Sequence, residues 1–275
     1  MNPAVQSPPT IADLASCLDC AEPLAGAADC PRCGRPHPAS SGILAACRPL
    51  LGRNAVAAAF YDGPAWAKFR PWERRFLTLV GGRVRARRQI LGHLGNRPDA
   101  RVLEVGIGDG ENLDLLPSDW LAYGVDIART QLEACIARFP VMSGRLAHAE
   151  AEALPFPDAT FDACYTVGGF NYFADPEAAL GEMRRVTRPG GVVVVADERP
   201  DLKRFGLGHL VGYPAYDAWW MRLVGLPADF VEMVHATQLD PSLILSRMSP
   251  SARRQSIWIG LGYLLVDPDP AWSQA

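Results

Sequence analysis

The run from Val102 to Gly110, Val-Leu-Glu-Val-Gly-Ile-Gly-Asp-Gly, concentrates the chemistry of this 275-residue chain. Three apolar residues and Glu104 lead into Gly106, Gly108 and Gly110. That pattern predicts a buried parallel strand breaking into a loop almost bare of side chains. At the carboxyl edge of an open sheet, such a loop lets a ligand lie against backbone. A second short strand is expected over 121–128, with Asp126 at its end and Ile127 beside it. A carboxylate there can accept both hydroxyls of a ribose, so the pair of strands is built for a nucleoside. Glycine spacing bears on which one. A dinucleotide loop needs its third glycine at the sixth position, where Glu111 stands, and an acid there repels a diphosphate. The third glycine comes one place early, at Gly110.

The elements that position this loop follow in order. A third strand is expected over 145–149, followed by Glu150-Ala-Glu-Ala-Leu-Pro-Phe156, and a fourth over Phe161-Asp-Ala-Cys-Tyr-Thr166. Leu132, Cys135, Ile136 and Phe139 form one helical stripe between strands two and three, and Pro140 ends it. Asp175 before Pro176 predicts a helix start, with Ala179, Met183 and Val186 on its buried face. Arg188-Pro-Gly-Gly191 should end that helix and turn the chain into a valine strand over 192–196, buried on both faces.

Taken together, E-x-G-x-G-x-G from Glu104, then A-E-A-L-P-F, F-D-A, R-P-G-G and the valine strand resemble the class I S-adenosylmethionine (SAM) methyltransferases. The likeness is to the type 11 subfamily that includes the ubiquinone and menaquinone C-methyltransferases, over about residues 101–198. The resemblance implies an α/β fold, a Rossmann-like doubly wound sheet of seven strands in order 3-2-1-4-5-7-6 with the last antiparallel. It implies that Glu104, Gly106, Gly108 and Gly110 surround SAM and that Asp126 takes the ribose hydroxyls beside Ile127. Glu150, where the family usually has Asp, would meet the adenine amino group, and the N–H of Ala151 would meet the ring. Thr166 to Gly168 would line the methionine end. Glu152 either joins that loop or is solvated.

The first hundred residues are a different object. Cys17, Cys20, Cys30 and Cys33 are spaced C-x2-C-x9-C-x2-C, and Gly34 follows the last. Paired C-x-x-C turns can set four thiolates around one Zn(II), with too little apolar sequence nearby to fold without it. The first ten residues are polar and proline-rich, which argues for a reducing compartment and against disulfides. His37 is then expected on the surface, Cys47 as a packed thiol, and Cys135 and Cys164 as small core residues. The ribbon and the His37-Pro-Ala-Ser-Ser-Gly run after it resemble zinc segments that accompany some methyltransferases, including the ribbon that helps 23S rRNA guanine-N1 methyltransferases hold RNA.

Charge is unevenly shared: residues 1–100 carry 13 Lys and Arg against 7 Asp and Glu, and residues 101–275 carry 14 against 23. Lys68, Arg70, Arg74, Arg75, Arg83, Arg85, Arg87 and Arg88 interleave with Trp66, Phe69, Trp72 and Phe76. This is either a surface that tracks RNA phosphates and stacks bases, or a solvated helix face above a stripe of Ala86, Ile90, Leu91 and Leu94. Tyr61, before a Gly-Pro turn, suits a lid over the cofactor.

Residues 199–240 are long for a connection and rich in large side chains, among them Phe205, His209, Tyr213, Tyr216, Trp219, Trp220 and Phe230. They can cap a flat, apolar substrate or simply bury one another. Residues 256–267 read as the last strand. Methyl transfer needs positioning above all, and a base only for an acceptor that must lose a proton. Tyr61, Asn171, Tyr172 and His209 are the candidates, with Asp197 and Glu198 near a strand end, and no spacing singles one out. Three functions stay open: a methyltransferase for a small aromatic or apolar metabolite, an RNA methyltransferase using ribbon and basic arm, or a SAM-binding interaction module without turnover. The expected organisation is a ribbon over 1–46 with a disordered start, a helical linker and lid over 47–98, and the catalytic domain over 99–275. No apolar run reaches 18 residues, so a cytoplasmic protein with no membrane span is expected.

Overall fold

Period-two alternation in the valine-rich segments builds a sheet buried on both faces. In the computed structural model, residues 8–79, 83–200, 219, 221–223, 225–236 and 239–268 are described. β3 (Arg101–Val105), β4 (Leu121–Asp126), β5 (Leu146–His148), β6 (Phe161–Val167) and β7 (Thr187–Glu198) are parallel. Leu103, Val105, Val125, Cys164 and Val193 join one apolar layer. Their neighbours Val102, Ala122, Ala163, Val192 and Val194 join the other. β9 (Gly262–Asp267) pairs antiparallel with β7, and β8 (Arg253–Ile257) antiparallel with β9. Numbered among themselves, these seven strands run 3-2-1-4-5-7-6, the order that the resemblance implies.

The sheet nevertheless has nine strands. β1 (Ala39–Ser40) and β2 (Ile43–Ala45) form a hairpin, and β2 lies parallel to β5 with Ile43 opposite Leu146, Leu44 opposite Ala147 and Ala45 opposite His148. The cysteine-rich segment thus continues the sheet. An open edge of unpaired N–H and C=O groups at β5 is covered, and Ile43 and Leu44 are buried, one in each apolar layer. α1 (Ile11–Leu14), opened by a Thr10–Asp13 capping box, packs Ile11 into the same core.

Helices cover both faces. α4 (Arg83–Leu91) and α5 (Arg129–Arg138) bury Ile90, Leu91, Leu132 and Cys135 on one. α6 (Pro176–Val186) buries Ala179, Met183 and Val186 on the other, and α8 (Pro241–Ser246) adds Ile244 there. Asp175 caps α6 as expected, accepting from the Ala178 N–H at 3.0 Å. α2 (Gly52–Asp62), α3 (Pro64–Leu79) and α7 (Ala228–Ala236) make a third, smaller apolar cluster through Ala57, Phe60, Phe230 and Met233.

Two expectations are corrected. Residues 256–267 are not one strand: Trp258 and Ile259 take φ of 51° and 57°, and this left-handed corner separates β8 from β9. At Gly262 a Cβ would lie 2.3 Å from the Trp258 ring, so the corner closes only over a bare α-carbon. The turn at Arg188-Pro-Gly-Gly191 is absorbed into β7 as a register shift against Phe161 and Ala163. Of the expected cap, residues 201–218, 220, 224, 237 and 238 lie outside the described residues, Phe205, His209, Tyr213, Tyr216 and Trp220 among them. No helix among the described residues is long and apolar enough to cross a membrane.

Candidate active site

β3 ends at Val105 and the backbone turns sharply, with φ of +74° at Gly106 and +54° at Gly108, conformations that favour glycine. Both line a cavity of about 620 Å³. Gly110 does not line it. A Cβ there would stand 2.8 Å from Cys135 Sγ and from Leu113, so this glycine seats the loop on α5. Glu104 is buried at the cavity wall, where Tyr165 donates to Oε2 at 2.9 Å and the Asn112 amide donates to Oε1. Burial pushes its carboxyl up to about 7, against the pull of those two bonds and of Arg87. Asp126, at the end of β4, accepts from the N–H groups of Gly108 and Ala128, both at 2.8 Å. Burial raises it to about 6 despite these bonds. Each oxygen keeps acceptor capacity, and both Asp126 and Ile127 line the cavity.

On the next wall stand Ala149, Ala151 and Glu152, while Glu150 turns away from the cavity. Its Oε2 accepts from the buried Asn54 amide at 3.1 Å, and the Cys47 thiol donates to Oε1 at 3.8 Å. The same Asn54 amide reaches Glu152 at 3.1 Å, and Glu152 also accepts from the Ala174 and Asp175 N–H groups. Thr166 is fully buried behind the lining, and Val167, Gly168 and Gly169 form the surface in front of it.

The opposite wall is aromatic. Phe60 stacks on Phe230 with centroids 3.7 Å apart, and Tyr61 meets Phe60 and Trp66 edge-on at 5.1 and 4.9 Å. The α2–α3 segment is stapled to the first turn of α5. Trp66 Nε1 donates to Gln131 at 3.1 Å, and Gln131 donates to the Tyr61 carbonyl at 3.0 Å. Asp62 accepts from both the N–H and the hydroxyl of Thr130. Here too Tyr172 donates to Glu198 at 2.6 Å, and the buried Asp197 accepts from the N–H groups of Asn171 and Glu198. Burial and the neighbouring Glu198 push Asp197 up to about 8. Asn171 lies behind this group, held by the Glu198 carbonyl and the Tyr263 hydroxyl, and does not line the cavity.

Three arginines of the basic arm turn inward. Arg70 reaches Asp109 at 2.7 Å and Glu111 at 2.9 Å, Arg74 bonds the same two acids, and Arg87 bonds Glu111 at 2.7 Å and Asn112. Part of the arm's positive charge thus meets Asp109 and Glu111 of the glycine loop itself. Lys68, Arg85 and Arg88 are exposed; the side chains of Trp72, Phe76 and Arg83 lie outside the described residues.

In the N-terminal segment, two matching turns present the four cysteines. Cys17 donates its N–H to Glu22 and accepts from Ala21; Cys30 donates to Arg35 and accepts from Gly34. The four Sγ atoms lie within 4.8 Å of one another, with Cys17–Cys33 at 3.6 Å and Cys20–Cys30 at 3.5 Å. Ligands about 2.3 Å from one tetrahedral zinc ion would stand roughly 3.8 Å apart, so the donor set fits that ion and no disulfide links it. His37, expected on the surface, is buried at 1% exposure, because the turn that carries it packs inward between the second knuckle and β1.

A family profile described as a methyltransferase domain matches residues 103–195. The chain is 34% identical over 146 residues to the demethylmenaquinone methyltransferase of Thermus thermophilus, covering 49% of this chain and 64% of that enzyme. It is 31% identical over 169 residues to the phosphatidylethanolamine N-methyltransferase of Cereibacter sphaeroides, covering 60% of this chain and 79% of that one. The chain belongs to the SAM-dependent methyltransferases. It spans about half the length of several other curated methyltransferases that it matches. Among solved structures, the complex of the Haloferax volcanii Trm112 methyltransferase activator with a methyltransferase superposes with a TM-score of 0.52 at 16% identity, over 79% of this chain and 99% of that one, a likeness of fold.

Set against this methyltransferase fold, most sequence candidates converge. Glu104, Gly106, Gly108, Asp126, Ile127, Ala151, Tyr61 and Tyr172 share one cavity; Gly110, Glu150, Thr166 and Asn171 stand just behind it, and His209 is outside the described residues. Glu152, Asp197 and Glu198, which the sequence marks without a role, also line the cavity, and so does Asn54, which it does not mark. For Asp197 and Glu198 the signal was present, since two adjacent acids end a four-valine strand.

Proposed function

We propose that this methyltransferase acts on a small, apolar acceptor of aromatic size, enclosed between the glycine loop and the α2–α3–α7 lid. The observation that carries the reading is one cavity lined both by Gly106, Gly108 and Asp126 and by the rings of Phe60, Tyr61, Trp66 and Phe230. SAM would bring a methyl group on a sulfonium, displaced in line by the acceptor. Asp126 would hold the ribose, Gly106 and Gly108 would let the cofactor approach backbone, and Ala151 would border the adenine. Buried Glu104 would face the cationic amino-acid end. The lid rings would exclude water and fix the acceptor's plane, which is where the rate of such a displacement is gained. Relatives named for demethylmenaquinone, phosphatidylethanolamine and fatty-acid methylation are consistent with an apolar acceptor.

The inward pairing of Arg70, Arg74 and Arg87 takes three of the arm's eight cations from any RNA-facing surface and counts against an RNA substrate. Residues 1–46 are read as a zinc ribbon on Cys17, Cys20, Cys30 and Cys33, 47–98 as the lid and 99–275 as the catalytic unit. To test the acceptor class, the protein is incubated with methyl-labelled SAM and a cell extract, then split into RNA, protein and organic-soluble fractions. Label is expected in the organic fraction and unchanged by Arg85→Glu with Arg88→Glu. Label in RNA that those substitutions abolish would overturn the reading.

A further inference from the structure

The four-cysteine knuckles sit at the sheet edge, and their connections lead to the cofactor cavity. From the ribbon side, Ser16 donates its N–H to the Pro155 carbonyl at 2.8 Å, and Ala46 donates to the His148 carbonyl at 3.0 Å. These two bonds grip both ends of the loop 149–154, which carries Ala149, Ala151 and Glu152 to the cavity wall. A third grip comes from the segment after the ribbon, where Cys47 bonds Glu150 and Asn54 bonds both Glu150 and Glu152. Cys17, Leu24, Cys30, Leu44 and Ala46 belong to the same buried cluster as Ala149, Ala151, Leu154 and Phe156. Two of the four cysteines thus belong to the buried cluster that also holds the residues shaping this wall.

We propose that the zinc-loaded ribbon is a positioning device for the cofactor loop, so that metal occupancy sets the affinity for SAM. The knuckles have little apolar content of their own to hold them folded without the metal. Without it, the Ser16 and Ala46 bonds to the two ends of the loop weaken, and the loop is held by the Ala149 bond to Asp126, by Asn54 and by Glu152 on the Ala174 and Asp175 N–H groups. The loop then samples arrangements in which Ala151 is misplaced, and binding must select among them. The inference rests on the zinc and SAM readings above.

The test measures zinc content by mass spectrometry and binding of S-adenosylhomocysteine by titration calorimetry, on the full chain before and after chelation and after zinc is returned. Stoichiometric zinc and an affinity that falls at least tenfold on stripping and recovers with zinc are expected. Ala46→Pro, which deletes the N–H given to His148 and removes neither a thiolate nor a cavity-lining group, keeps its zinc and its circular dichroism and weakens binding about fivefold or more. It decides the matter if stripping unfolds the whole chain. Equal affinity in the folded stripped protein, or in Ala46→Pro, overturns the coupling while leaving both readings in place. A loaded preparation without zinc refutes the metal reading, and one that binds zinc but no S-adenosylhomocysteine refutes the cofactor reading; the inference falls with either.

Discussion

Glu104 shows how one side chain couples fold and chemistry. It sits in the strand because β3 must end at the glycine loop, and it is buried because both sheet faces are covered. The folded chain keeps its proton up to about pH 7, whereas the unfolded chain releases it near the ordinary value of 4.5. Between those values the folded state binds more protons, so stability from this group is complete below pH 4.5 and is lost as pH rises through 7. Glu104→Gln removes that dependence. The melting temperature of the variant relative to the parent, both without ligand, is expected to climb between pH 4.5 and 7 and then level off. Parallel curves would show that Glu104 does not titrate this way. The positions of Glu104, Gly106, Gly108 and Asp126 around one cavity were legible in the sequence because a left-handed turn after a buried strand favours glycine and an acid ends the next strand. The orientation of Glu150 was not, because it depends on Asn54, 96 residues earlier in the chain.

At the level of elements, alternation and turn chemistry marked β3, β4, β6 and β7 and the start of α6. What stayed hidden was pairing between distant segments. Nothing in Ile43-Leu-Ala45 says that it will lie beside Leu146, since a three-residue strand has too short a pattern to declare a partner. The corner at Trp258 was equally illegible, because non-glycine residues there take left-handed conformations. Gly124, in mid-strand, marks how tightly β4 carries the loop: a Cβ would fall 2.4 Å from Ile107 Cδ1 and 2.9 Å from Ile107 Cβ. Gly124→Ala must therefore push Ile107, and the glycine loop with it. Overpacking of this kind costs about 1–3 kcal/mol, and denaturant unfolding is expected to show it together with weaker SAM binding. An unchanged midpoint would mean the loop yields freely.

Across the whole molecule, charge and burial cooperate in closing the site. Arg70, Arg74 and Arg87 of the basic arm pair with Asp109 and Glu111, the cysteine-rich segment extends the sheet, and the aromatic α2–α3 segment is stapled to α5. Composition revealed the imbalance of charge between the two parts but not its resolution, which required both in one place. The central claim is that this cavity holds SAM through Asp126. Equilibrium dialysis of labelled SAM against the parent chain and Asp126→Asn tests it most directly. One SAM per chain is predicted for the parent, with affinity falling about 10- to 100-fold in the variant, as for loss of a hydrogen bond to a charged group; the Asn amide also faces the N–H of Gly108 or Ala128, so the melting temperature falls and circular dichroism is used to show that the variant is folded. No binding by the parent, or equal binding by a folded Asp126→Asn, would contradict the account.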